Sequence, residues 1–462
     1  MKTIVKPKEH ISNLWGKQRI NETEEYRLMH YVLRVDHDGK VLLHNVVTGQ
    51  LVELEQDEAE VLEKLPIAYN PGIEQLVTEH YLVPKGFDEY KSVNQLRKIY
   101  RTRQTCATGE YINHYVILPT TFCNAHCFYC YESDYPRVQM TEETAGKLIE
   151  YMDEHRMGKE LSIQWFGGEP LVGIQRIDQI SQGLKDRGIT YSASMISNGY
   201  LFDEEIVERA ADLWKLSRVQ ITLDGTEETY NQVKAYVNVK DNPFQRVLRN
   251  IELLSSRKIH VNIRLNIDFY NKDNIRELIE ELGERYSGNQ FVTVYLNMLF
   301  NDEGYEPVSH THDDMIHLMG IIKDYTKRLI ELKMAFEEQK PIHLLFSQCM
   351  ADNPHSVMIQ PDGSFCRCEH ETILENYGSL YEGIKDSQKL VKWRESVEHS
   401  EKCPECALYP TCYSLKHCAN SDLPCTEDFQ MNNLKRQMER IKNLYVHKME
   451  VKEDETVCCS PG

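Results

Sequence analysis

No stretch of this chain approaches the roughly 18 consecutive apolar residues needed to cross a bilayer. The opening MKTIVKPKEH also lacks the apolar centre of a secretory signal. A cytoplasmic setting with no membrane partner is the expectation. Positive charge is outnumbered, 53 Lys and Arg against 72 Asp and Glu. The formal net charge is −19 and no basic stripe interrupts it, so a phosphate backbone would be repelled and no nucleic-acid partner is expected. Internal repeats and low-complexity tracts are missing too. What is present is a chain of 462 residues with 41% hydrophobic content, enough for two to four domains with sizeable cores.

Fourteen cysteines stand out against that background. In a secreted protein they would suggest disulfides, but clustered spacings in a cytoplasmic enzyme point to metal.

The residues 26–54 read as two or three short strands with turns at Asp38-Gly39 and Thr48-Gly49. QDEAEVLEKL and IEQLVTEHYLV have helical apolar spacing, and 88–109 reads as a polar linker. Six β-type runs then alternate with amphipathic helices: 115–120, 161–166, 193–198, 218–223, 260–267 and 291–298. Such alternation predicts parallel strands joined by right-handed crossovers. The expected fold is α/β, a partial (β/α)6 TIM-like barrel with chemistry at the C-terminal strand ends. A long helix is expected over 312–338, a cysteine-dense region over 349–425, and a charged helix before the tail VCCSPG.

Just after the first barrel run, TTFCNAHCFYCYES sets Cys123, Cys127 and Cys130 in a C-x3-C-x2-C arrangement. Three thiolates on one loop can hold three irons of a [4Fe–4S] cube, leaving the fourth iron open to a ligand. A zinc loop or buried free cysteines are the alternatives. With Tyr129 in the aromatic slot, the loop resembles the radical S-adenosylmethionine superfamily. The resemblance implies that the open iron chelates S-adenosylmethionine and that one-electron reduction releases a 5′-deoxyadenosyl radical.

It further implies that Gly167, Gly168 and Glu169 in WFGGEP hold the cofactor's amino group. Ser197, Thr222, Lys234, Arg264 and Asn266 match positions that contact its ribose and carboxylate. Many relatives carry arginine where Lys234 stands, so this chain departs there, and a surface role for Lys234 remains open.

The second region runs C-x13-G-x4-C and then C-x2-C-x5-C-x5-C-x6-C. It exceeds a single tetrahedral zinc site and resembles the SPASM extension, which carries two auxiliary [4Fe–4S] clusters. The likeness implies Cys349, Cys368 and Cys418 for the first and Cys403, Cys406, Cys412 and Cys425 for the second, three clusters in all. Cys366 competes with Cys368, and Cys458 and Cys459 are further candidates for an open position. Cys106 reads as structurally neutral. Glu369, directly after Cys368, matches a carboxylate that acts on substrate in anaerobic sulfatase maturases, and an exposed solubilising role is the alternative. His370 shares that ambiguity.

The hairpin and helices around HNVVTGQLVELEQDEAEVL resemble the PqqD-like winged-helix module that captures a leader peptide as an added strand. The expected domains are therefore 1–100 for leader recognition, 101–310 for the barrel, 311–345 as a bridging helix, 346–430 as the SPASM region, and 431–462 as helix and tail. The whole pattern implies a maturase of a ribosomally made precursor peptide, supplied with electrons by a flavodoxin- or ferredoxin-type reductant. Its product would be a thioether or a carbon–carbon or carbon–oxygen crosslink, with a slight lean to the thioether. A sulfatase-type protein oxidase and a non-catalytic cluster-binding peptide carrier are the rival readings.

Overall fold

The computed structural model describes residues 1–107, 111–158, 160–299, 311–336, 340–347, 349–393, 395–397, 401–412, 414–416, 418 and 425–457. The chain divides into two compact units. One comprises Thr108–Glu337 with Cys349–Arg394, and the other Met1–Ala107, Glu338–Gln348 and Glu395–Gly462.

In the first unit the six expected strands form as His114–Ile117, Glu160–Trp165, Thr190–Ser197, Leu216–Leu223, His260–Ile267 and Val292–Met298. All five neighbouring pairs are parallel, in sequence order across the sheet. Alternation explains why. In HVNIRLNI, Val261, Ile263, Leu265 and Ile267 are completely buried, which leaves Asn262, Arg264 and Asn266 on the opposite face. The crossover helices start on side-chain caps: Thr141 accepts from Thr144 N–H, Asp203 from Ile206 N–H, and Asn242 from Gln245 N–H ahead of Pro243.

The sheet does not close into a barrel. It extends past the first strand, because Ser356–Ile359 pairs with it in parallel and Ser364–Cys366 then turns back antiparallel. The first part of the cysteine-rich region is thereby built into the barrel sheet. The helix expected over 312–338 runs over His312–Glu331, and just beyond it Lys333 adopts a left-handed conformation, φ 57°.

The second unit contains a four-stranded antiparallel sheet in which Lys2–Val5 pairs with Leu51–Glu53, followed by Lys40–Asn45 and Val32–His37. The Asp38-Gly39 turn is as expected, with both residues at positive φ. The supposed linker at 88–109 is instead a helix, Glu89–Ala107. Its buried face is Val93, Leu96 and Arg97, with Tyr90 and Tyr100 packed alongside. Arginine in one of the core slots is what hid the helical period. Residues 346–430, expected as one domain, contribute to both units. Among the described residues no helix is long and apolar enough to cross a membrane.

Leu96 separates the two descriptions of 88–109. Leu96→Ala should lower the stability of this unit by about 2–5 kcal/mol in denaturant unfolding, as a buried leucine does. A cost near zero would restore the linker.

Candidate active site

The loop that leaves the first strand carries Cys123, Cys127 and Cys130, all partly buried and all free thiols. The second strand ends against this loop. Gly168 N–H donates to the Thr120 carbonyl at 3.3 Å and Glu169 N–H to that of Phe122 at 2.9 Å. Gly167 sits at φ 121°, and a Cβ on Gly168 would lie 2.5 Å from the Phe122 oxygen. Only glycine allows this approach. The glycines thus seat the cysteine loop on the strand, a backbone role beside the cofactor role read from the sequence.

Glu169 is completely buried. Its carboxylate accepts from Leu171 N–H at 3.1 Å, Asn198 N–H at 2.8 Å and the Ser197 hydroxyl at 2.9 Å. Burial pushes its pKa up to about 7, against the pull of these donors and Lys234. A carboxylate has about four acceptor positions. Three donors leave one for an ammonium, so Glu169 and Ser197 fit a cofactor amino group.

Burial pushes the Cys123 thiol up to about 12, and Glu169, Cys127 and Cys130 add to it by like charge. The three thiols therefore share one small space at the strand ends. Among the described residues no three His, Cys, Asp or Glu side chains converge as a single metal ion requires. Three thiols and no fourth cysteine on the loop fit the donor set of a site-differentiated cube, whose corners are more widely spaced than the ligands of one ion.

Asp224 forms the hub of the opposite wall. It accepts from the Tyr129 hydroxyl at 2.8 Å, from Asn266 Nδ2 at 3.0 Å and from Lys234 Nζ at 2.9 Å. Lys234 also donates to the Tyr129 hydroxyl at 2.9 Å, and Arg264 Nε to Asn266 Oδ1 at 2.8 Å. Burial works to lower the Lys234 pKa, but Asp224 above all, then Cys127, Tyr129 and Tyr230, hold it well above the usual lysine range. The structure places Lys234 in a buried ion pair, tying the cysteine loop to the end of the fourth strand. Thr222 lies in register with Arg264 on the neighbouring strand. Of the expected cofactor residues, Tyr129, Lys234, Arg264 and Asn266 form one network, and Glu169 with Ser197 another.

The sequence reading passed over Asp224 and Asn198, whose signals were Asp-Gly and Asn-Gly at strand ends. It also passed over Glu132, two residues beyond Cys130. Glu132 is buried and its Oε1 has no hydrogen-bond partner among the described residues. Burial pushes its pKa up to about 7, opposed by Arg137 and reinforced by Glu369. The ring of neighbouring Tyr131 lies 4.5 Å from that of His370, so the carboxylates after Cys130 and after Cys368 face a common region.

The second cysteine region separates its candidates. Cys366 lies in an apolar cluster with Val116, Leu118 and Met358 and donates to the Thr372 carbonyl at 3.5 Å. Cys368 Sγ lies 3.7 Å from Glu369 Oε2. Arg367, between them, is buried and donates to the carbonyls of Met350, Ala351, Asn353 and Ser356. That clamp fixes the turn begun by Cys349 beside the strand leading to Cys368. Cys349 and Cys368 belong to one unit and Cys418 to the other. In the second unit, burial pushes Cys412 up to about 11, with Cys403, Cys425 and Cys406 adding like charge, so those four thiols are neighbours. The Cys106 side chain and the tail pair Cys458 and Cys459 lie outside the described residues.

Residues 117–283 match the sequence model of the Radical SAM superfamily, the segment that carries the three-thiol loop, Glu169 and the Asp224 network. In fold, site and matched segment the chain is similar to radical S-adenosylmethionine enzymes, and the residues present fit a [4Fe–4S] cluster and S-adenosylmethionine.

Among relatives, the chain is 22% identical over 429 residues to the radical SAM cyclopropyl synthase TigE of Paramaledivibacter caminithermalis, covering 85% of this chain and 86% of that protein. It is 23% identical over 330 residues to the cysteine-type anaerobic sulfatase-maturating enzyme of Clostridium novyi, covering 63% and 84%. The structure of native anSMEcpe with bound AdoMet superposes with a TM-score of 0.57 at 15% identity, covering 72% of this chain and 99% of that one.

Removing Asp224 would strand the Lys234 ammonium in the interior. Asp224→Ala should cost about 3–5 kcal/mol in chemical unfolding of the cofactor-free protein. A loss below about 1 kcal/mol would show that Asp224 is not the hub.

Proposed function

We propose that this chain is a maturase that forms an intrapeptide crosslink in a ribosomally made precursor peptide. The observation that carries the reading is the seating of the three-thiol loop against Gly167, Gly168 and Glu169, with two further groups of cysteines downstream. When bound, the first cluster and S-adenosylmethionine would supply the one-electron reductive cleavage that starts hydrogen-atom removal from the substrate. Cys123, Cys127 and Cys130 would hold that cluster. Glu169, steadied by Ser197 and the Asn198 amide, would accept from the cofactor's ammonium. Arg264, oriented by Asn266, would reach its carboxylate.

Net loss of two hydrogens from the peptide leaves one proton and one electron to remove after the first hydrogen atom. Glu369, with Glu132 facing the same region, is suited to take the proton. Cys349, Cys368 and Cys418, and Cys403, Cys406, Cys412 and Cys425, would hold two auxiliary clusters that would supply an electron acceptor, with an external flavodoxin- or ferredoxin-type reductant as partner. A thioether is the first reading of the crosslink. The likeness to a cyclopropyl synthase over most of the chain supports a carbon–carbon bond as the second reading. The N-terminal segment would capture the leader. Its Lys2–Val5 strand covers one edge of the sheet, and Val32–His37, against which the helix Glu427–Val457 also packs, is the other edge and the candidate for strand addition.

Anaerobically reconstituted protein with dithionite and S-adenosylmethionine should release 5′-deoxyadenosine, and the Cys123→Ser/Cys127→Ser/Cys130→Ser variant should release none. Absence of product from the unsubstituted protein would sink the enzyme reading. Co-expression with the small open reading frame beside the gene should give a peptide about two daltons lighter per crosslink. Alkylation then tells the bonds apart, since a thioether consumes a thiol and a carbon–carbon bond does not. Glu369→Gln should slow crosslinking about 10²-fold while 5′-deoxyadenosine still forms. An unchanged rate would remove Glu369 from the chemistry.

A further inference from the structure

In the second unit, the N-terminal segment and the loop of the Cys403, Cys406, Cys412 and Cys425 site share one hydrophobic core. Tyr31, Leu43, Val52 and Leu96 cluster with Cys403 and Tyr409. Arg97, on the helix Glu89–Ala107, is buried at 6% exposure. Its Nη2 donates to the carbonyls of Tyr409, Pro410 and Cys412 at 3.2, 3.1 and 3.1 Å, and its Nε to that of Leu345 at 3.2 Å. The guanidinium also lies 4.8 Å from the centre of the Tyr409 ring.

One turn earlier on the same helix, Asn94 Oδ1 accepts from the Tyr409 hydroxyl at 2.7 Å. From the hairpin side the Tyr31 hydroxyl donates to the Pro404 carbonyl at 3.3 Å. The backbone from the first to the third cysteine of this group is therefore shaped by side chains from the first hundred residues.

We infer that Arg97 is a positioning residue for the Cys403, Cys406, Cys412 and Cys425 centre, and that folding of the N-terminal segment and loading of that centre are one linked equilibrium. The inference rests on the reading that these four thiols hold a cluster. The physical reason is twofold. A group that binds only the folded arrangement of four thiols stabilises everything that arrangement is packed against. A cluster on four thiolates is also anionic, and a buried guanidinium bonded to the Cys412 carbonyl offsets that charge. A leader-binding segment built this way is competent only when the electron-carrying centre beneath it is in place.

The test uses the full chain, reconstituted anaerobically, with iron and sulfide content and amide hydrogen exchange as readouts. Arg97→Met should lose about four irons per chain, and Arg97→Lys, which keeps the charge, should retain most of them. In Cys403→Ser/Cys406→Ser, where Arg97 is intact, exchange across residues 32–53 should rise at least about ten-fold while the strand His260–Ile267 is unchanged. If Arg97→Met fails to fold, the lysine and cysteine variants still decide. Full iron in Arg97→Met, or unchanged exchange in the cysteine variant, would overturn the inference. Equal iron in the cysteine variant and the unsubstituted protein would overturn the reading of the four thiols as a cluster site, independently of Arg97.

Discussion

Everything at the site depends on how closely two pieces of backbone meet: the end of the second strand at Gly167-Gly168 and the start of the cysteine loop at Thr120–Phe122. Two amide-to-carbonyl bonds join them, and no side chain could be inserted at Gly168 without displacing the loop. That contact sets Glu169 beside the thiols. It is also why burial and like charge act together on Cys123, and why a metal cluster, which draws the thiols into their deprotonated form, is the natural resident.

Around this contact the protein builds two polar walls of opposite design. Glu169 is an anion surrounded by donors, with one acceptor position left over. Asp224 is an anion consumed within the fold, since Tyr129, Lys234 and Asn266 all donate to it. The first wall keeps an acceptor position unfilled by these donors, and the second holds the loop's aromatic residue in place. At Lys234 a compact ammonium lies between the Tyr129 hydroxyl and the Asp224 carboxylate.

Much of this was legible from residues alone. All six strands lie where their alternating runs put them, because apolar residues at every second position leave one burial face only. The cysteine loop and WFGGEP stood out as candidates because spacing on a single loop is local information. Asp224, Glu132 and Arg97 were not legible. Each acts through partners far away in sequence, Lys234 and Asn266 for Asp224, Glu369 for Glu132, and Tyr409 to Cys412 for Arg97. The helix Glu89–Ala107 was missed for the same reason, since its period closes only if an arginine counts as a core residue. The cysteine region read as one domain contributes to both units, and nothing in the spacing of its cysteines marks that division.

The central claim is that Cys123, Cys127 and Cys130 hold a cluster with one iron open to S-adenosylmethionine. Electron paramagnetic resonance of the dithionite-reduced protein, with the Cys349, Cys368, Cys403 and Cys406 thiols replaced by serine, isolates that cluster. The account predicts a reduced four-iron signal that changes on adding S-adenosylmethionine and shows hyperfine coupling to a nitrogen-15 label in its amino group. A signal indifferent to the cofactor would contradict it.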